Sequence, residues 1–145
     1  MSIKTILTKK NSEVTTCRKE CTVLQCIQKM NEKKIGAVIV VNENGKLNGI
    51  ITERDVLHTV DKQRGMPGEL TVSDIMTMKE QLVTTHPDES IESVMGIMTE
   101  KRIRHLPVIE KDDIVGVISI GDVVKALLDS AILENESMKN YISGV

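Results

Sequence analysis

The chain has 145 residues, with 19 Lys and Arg against 21 Asp and Glu for a formal net charge of −2, and it is 28% charged and 40% hydrophobic. That length and balance suit a soluble globular fold and argue against disorder, a membrane-spanning chain or a polybasic nucleic-acid binder. There is no Trp and no Phe, and Tyr141 is the single aromatic residue, so the stacking platforms that grip single-stranded nucleic acid are missing.

Val and Ile supply 33 residues, nearly a quarter of the chain, which points to buried strands and an aliphatic core. Taken from the N-terminus, the chain shows no signal-type apolar stretch. Its apolar runs, such as Ala37 to Val41, are too short to cross a bilayer. With Cys17, Cys21 and Cys26 as an odd set of thiols, a reducing, cytoplasmic setting without membrane attachment is expected. These cysteines lack Cys-x-x-Cys spacing and read as small buried residues before a redox or metal set.

A short leading strand is expected around Val14. Thr22 then opens a helix with Gln25 in capping-box spacing, and Val23, Cys26, Ile27 and Met30 form its apolar stripe. Ala37–Val41 reads as a buried strand, Asn42–Gly45 as a turn, Leu47–Ile51 as the returning strand, and Thr52 as the start of a second helix. Asp61 to Gly68 reads as a linker. The pattern then recurs. A strand around Val83 precedes a helix striped by Ile91, Val94, Met95 and Met98. Strands over Leu106–Ile109 and Ile114–Ile118 flank the turn Glu110–Asp113, and a helix starts at Ser119.

The recurrence is a true internal repeat. A shift of 69 residues superposes Ile6, Thr8, Val14, Thr15 and Thr16 on Ile75, Thr77, Val83, Thr84 and Thr85. A shift of 68 superposes Met30, Glu32, Lys33, Ile35 and Val40 on Met98, Glu100, Lys101, Ile103 and Val108; a shift of 67 does the same for Gly49, Ile51, Asp55 and Val56 against Gly116, Ile118, Asp122 and Val123. The expected fold is α/β (α+β): two β-α-β-β-α units packed about a pseudo-twofold axis, because one unit alone leaves a sheet face bare. The expected divisions are 1–60 for the first repeat, 61–70 for the linker, 71–128 for the second repeat and 129–145 for a helical tail.

Chemistry is concentrated where each last strand meets its last helix, at Thr52-Glu53-Arg54-Asp55 and Ser119-Ile120-Gly121-Asp122. Ser/Thr-x-x-Asp is capping-box spacing and needs no ligand. The same junction presents free N–H donors and a positive dipole end to an anion, and the Asp one turn in can accept two hydrogen bonds from a ribose diol. The two readings are compatible.

Asp74-Ile75-Met76-Thr77, Arg104-His105-Leu106-Pro107-Val108 and Gly116-Val117-Ile118-Ser119-x-x-Asp122, within a duplicated frame from about Ile3 to Leu128, resemble a tandem cystathionine-β-synthase-type (CBS) domain pair, or Bateman module. The tail Tyr141-Ile142-Ser143-Gly144 is similar to that of small stand-alone members. The resemblance implies a regulatory, non-catalytic module that binds AMP foremost, or ADP, ATP, NAD or S-adenosylmethionine, in two clefts between the repeats. It further implies a homodimer that acts on an effector protein. By the same resemblance, one cleft takes Thr52 and Asp55 for phosphate and ribose, Ile75, Met76 and Thr77 around adenine, and Arg104 and His105 toward phosphate. The other takes Ser119 and Asp122 with Ile6, Leu7 and Thr8, and has Gly36 and Ala37 where the first has Arg104 and His105.

That substitution predicts asymmetry, with the Asp55 cleft holding the more highly charged ligand. Neither repeat shows a nucleophile–base pair, a metal-ligand cluster or a phosphate-binding glycine loop. His58 and His86 read as surface residues, and the methionines as core filler. An apolar face through Ala131, Ile132 and Leu133 suits a second subunit. A structural dimerisation module without ligand response is the alternative to sensing, and an enzyme is the more remote one.

Overall fold

Ile3, Ile6 and Leu7 fall at helical spacing, and in a computed structural model, which describes residues 1–10 and 13–142, they lie on α1 (Ile3–Lys10). The first repeat continues through β1 (Thr16–Arg18), α2 (Val23–Lys33), β2 (Ala37–Val41), β3 (Leu47–Thr52) and α3 (Glu53–Gln63). The second runs through α4 (Val72–Ile75), β4 (Thr77–Met78), a 3-10 turn at Lys79–Gln81, α5 (Ile91–Lys101), β5 (His105–Glu110), β6 (Asp113–Ser119) and α6 (Ile120–Ile142). The expected doubled α/β architecture is the one formed. The part of the tail motif at Ser143 and Gly144 lies outside the described residues.

Capping fixes most of the boundaries. Gln25 N–H donates to Thr22 Oγ1 at 3.0 Å and Thr22 N–H to Gln25 Oε1 at 2.9 Å, the reciprocal box that satisfies two helix-end donors. At the other end Lys34 adopts a left-handed φ of 55°, matched by Arg102 at 56° one repeat later. Lys111 and Asp112, the two residues between β5 and β6, both have positive φ, as a tight hairpin requires. Both hairpins carry a register shift at the same repeat position, between Val40 and Val41 and between Val108 and Ile109.

The strands form one sheet in the order β1-β2-β3-β4 and a second of β5-β6. The first leading strand centres on Cys17, beyond the expected Val14. Its counterpart near Val83 shrinks to a single parallel bridge between Thr85 and Val108. Two prolines supply the reason: on the Val83 side the ladder donor would be the backbone nitrogen of Pro107, and beyond Thr85 that of Pro87, and neither has a proton. The linker is also shorter than expected, because α3 runs to Gln63 and ends at Arg64 with φ 57°.

Helices α1 and α4, absent from the sequence reading, tie the repeats together by exchange. Ile3 and Ile6 of α1 are buried in the second repeat's core with Ile91, Val94, Met98, Leu106, Val108, Ile118 and Val123. Val72 of α4 is buried in the first repeat's core with Cys17, Cys26, Met30, Val38, Val40 and Ile51. The backbone bonds are reciprocal: Ile3 N–H donates to Glu89 O (2.9 Å) and Val72 N–H to Cys21 O (2.8 Å), while Ile91 N–H donates to Met1 O (3.1 Å) and Val23 N–H to Leu70 O (2.9 Å). A third core, with Ile39 and Ile50 against Ile109, Ile114 and Val117, joins the two sheets. On the last helices of the two repeats, Val123 of α6 is fully buried, whereas Leu57 of α3 is 70% exposed.

Candidate functional site

A cavity of about 870 Å³ lies between the repeats. Ser119 and Asp122 stand on one wall, where β6 passes into α6; Gly116 and Val117 of β6 continue that wall, and Leu7 and Lys10 of α1 face it. The C-terminal half of α2 and its cap contribute Lys29, Lys33 and Lys34, and the entrance of β2 contributes Gly36 and Ala37. His105 of β5 also lines the cavity.

The Ser119–Asp122 junction is a capping box: Ser119 N–H donates to Asp122 Oδ2 at 2.9 Å and Asp122 N–H to Ser119 Oγ at 3.1 Å. Lys10 donates to the same carboxylate oxygen at 2.9 Å and to the Val117 carbonyl at 3.0 Å. Burial pushes the Asp122 carboxyl up, but the Ser119 N–H and the Lys10 ammonium together outweigh it and hold it below the ordinary range. His105 sits low as well, because burial disfavours its charged form more than Glu53 favours it. Gly36 lies close beside it: a Cβ there would stand 3.2 Å from His105 Cε1 and would displace the exposed Glu53 carboxylate.

The pseudo-equivalent site around Asp55 differs in two respects. Thr52 N–H donates to Asp55 Oδ2 at 2.8 Å, yet among the described residues no lysine joins the pair, and burial raises the Asp55 carboxyl above its usual value. The strand edge is also occupied, since β4 pairs with β3 through Gly49↔Met78 and Ile50↔Thr77. A Cβ on Gly49 would collide with the Thr77 carbonyl and meet Met76 Sδ at 3.2 Å, so that edge is filled by backbone. The repeat positions equivalent to Gly49 and Ile50 are Gly116 and Val117, and these line the cavity.

Of the residues singled out in sequence, Ser119, Asp122, Leu7, Gly36 and Ala37 come together at the cavity. Ile6 does not, being buried in the second core, and Thr8 is exposed with its hydroxyl donating to Lys4 O. Thr52, Asp55, Ile75, Met76 and Thr77 do not line that cavity; they are half-buried on the Asp55 side, where Thr52 N–H donates to Asp55 and Thr77 pairs with Ile50. His105 was expected there with Arg104. It pairs with Ser119 across the β5–β6 ladder and lines the Asp122 cavity, while Arg104 is exposed.

The expectation that only the Asp55 side is cationic is therefore corrected. Lys10, Lys29, Lys33 and Lys34 arrive from the end of α1 and the C-terminal half of α2 with its cap, outside the strand-entrance positions on which the expectation rested. Lys29 and Lys33 lie four apart on one helix face, and that spacing was the available signal. Among the described residues no cluster of His, Cys, Asp and Glu is arranged to hold a metal ion, and no helix is long and apolar enough to cross a membrane.

Comparison with known proteins agrees with this fold. A family model described as the CBS domain matches residues 3–62 and again 72–129. The CBS domain-containing protein CBSX3, mitochondrial, of Arabidopsis thaliana is 38% identical over 130 residues, covering 88% of this chain and 63% of its own length. The crystal structure of the CBS-domain containing protein ATU1752 from Agrobacterium tumefaciens matches with a TM-score of 0.82 at 36% identity, over 87% of this chain and 98% of that one. The CBS domain pair of protein MJ0100 matches at a TM-score of 0.78 and 24% identity, over 90% of this chain and 98% of that one, a likeness of fold. Two matched repeats, each completed by a helix from the other, show that this chain belongs to the CBS domain family and is a tandem CBS pair.

Proposed function

We propose that the pair is a regulatory module that takes one adenosine-containing ligand per chain in the cavity beside Asp122, with AMP, ADP, ATP, NAD and S-adenosylmethionine as the candidates. The observation that carries the reading is the cavity itself. Its volume falls in the range of small-molecule sites, and it sets a carboxylate able to accept from a ribose diol beside the N-terminus of α6 and four lysine ammonium groups. Leu7 and Val117 offer apolar surface to a base, and the Val117 carbonyl, on a strand edge without a strand partner, offers it an acceptor. The MJ0100 pair was solved in complex with 5-methylthioadenosine and S-adenosyl-L-methionine, both adenosine compounds. Thr52, Asp55, Ile75, Met76, Thr77 and Arg104 form a second, weaker site in this reading, since β4 occupies its strand edge.

The response passes to an effector protein through a homodimer. Leu57 on α3 and Val124, Leu128, Ile132 and Leu133 on α6 leave apolar surface uncovered, and a closed twofold assembly buries it. A monomeric mass by light scattering at micromolar concentration would reject the dimer. Ligand binding is tested by thermal melting with millimolar AMP, ADP, ATP, NAD and S-adenosylmethionine, together with mass spectrometry of any compound carried through purification. A ligand at 100 times its dissociation constant stabilises by about 2.7 kcal/mol. A flat response to all five rejects sensing and leaves the structural dimerisation module.

A further inference from the structure

We propose that Lys10 is a built-in stand-in for the ligand, occupying the Asp122 carboxylate and the Val117 carbonyl until an anionic nucleotide displaces it, and that it thereby selects adenosine phosphates over neutral or cationic adenosine compounds. This rests on the reading of the cavity as an adenosine site and names which members of that class it accepts.

Lys10 is the last residue of α1, and its Nζ lies 2.9 Å from Asp122 Oδ2 and 3.0 Å from Val117 O. The ammonium thus meets the two cavity acceptors best suited to a nucleoside, the carboxylate for a ribose hydroxyl and the strand-edge carbonyl for a base amino group. Among the described residues the Asp55 side has no such plug from a side chain. There β4 covers Ile50, the repeat equivalent of Val117, and Asp55 is served by Thr52 alone among the hydrogen bonds described. The Lys10 contact therefore belongs to the open site.

Displacement has a definite electrostatic consequence. A ribose diol that takes Asp122 expels an ammonium into a cavity already holding Lys29, Lys33 and Lys34. Lys29 is committed to the Thr16 carbonyl at 2.7 Å, and Glu13 and Glu32 are the further lining carboxylates. A neutral nucleoside brings the freed charge no new partner of its own. A phosphate supplies one, and a charge-assisted N–H···O bond replaces the ion pair that was lost. A sulfonium compound adds positive charge where it is least welcome.

The test is titration calorimetry of the full chain with adenosine and with ADP, on the wild type, Lys10→Met and Lys10→Arg. Methionine keeps the aliphatic stem and removes the charge, and because residue 10 is exposed the variant folds, as circular dichroism will show. The wild type should prefer ADP by tenfold or more. Lys10→Met should bind adenosine several-fold more tightly and ADP several-fold more weakly, bringing the ratio toward one, and Lys10→Arg should restore the preference. An unchanged ratio in Lys10→Met, with both ligands bound, overturns the stand-in while the adenosine site stands. No binding of either ligand by any of the three proteins overturns the adenosine site itself, and the selection with it. Carbon-detected NMR of the Asp122 carboxyl without nucleotide gives a separate readout: its titration should move upward in Lys10→Met, and an unmoved titration refutes the contact.

Discussion

Replacing Ile3 with Ala tests whether helix exchange holds the two repeats together. Ile3 is fully buried on the first turn of α1, yet its neighbours Ile91, Val94, Met98 and Leu106 belong to the second repeat. The substitution deletes three carbon groups, about 2.4 kcal/mol of transfer at about 0.8 kcal/mol each. The cavity left behind brings the loss to about 2 to 4 kcal/mol, within the range for such truncations. At about 2.1 cal/mol/K of unfolding entropy per residue, that lowers the melting temperature by about 7 to 13 °C. Differential scanning calorimetry reads the shift. A second variant locates it: Ile3→Ala with Val94→Ala, in the same core, should be non-additive, whereas Ile3→Ala with Val38→Ala, in the first repeat's core, should add. A fall of less than about 1 kcal/mol, or full additivity within the shared core, would show that α1 does not close the second repeat.

The pseudo-equivalent aspartates should respond with opposite signs. Asp122, lowered, contributes stability above the ordinary carboxyl value of 3.8 that is lost as pH falls through its folded value; Asp55, raised, contributes at low pH and loses that contribution as pH rises through its folded value. At pH 7, urea melts should show Asp122→Asn less stable by about 0.5 to 1 kcal/mol, the scale of a partly exposed ion pair, and Asp55→Asn at least as stable as wild type; the reverse order would refute the electrostatic assignment. Thiol labelling separates the cysteines: Cys21, half-buried, should react in the native state, while Cys17 and Cys26, packed in the first core, should react only on unfolding. Early modification of Cys26, whose proton is held by its hydrogen bond to Cys17 and by burial, would contradict that packing.

What could be read from the sequence was whatever a local pattern encodes. Thr22 with Gln25, Thr52 with Asp55 and Ser119 with Asp122 are short-range capping pairs, and each forms as spaced. The hairpins follow from buried runs broken by turn residues, and the doubling follows from identities at a constant shift. Helices α1 and α4 escaped because eight and four residues give too little periodicity, and their apolar partners lie a whole repeat away. The lysines of the cavity escaped for a related reason. The repeat alignment compares each position with its equivalent, whereas Lys10 meets Asp122 across 112 residues and between halves. Pro87 was visible, but its effect depends on which ladder position falls to it.

The account turns on where the nucleotide sits, and titration calorimetry with ADP on the wild type, Asp122→Ala and Asp55→Ala measures that directly. One tight event per chain is expected, abolished in Asp122→Ala and retained in Asp55→Ala, because the cavity and its four lysines stand beside Asp122. A tight event that survives Asp122→Ala and disappears in Asp55→Ala would place the ligand on the opposite side and contradict the assignment.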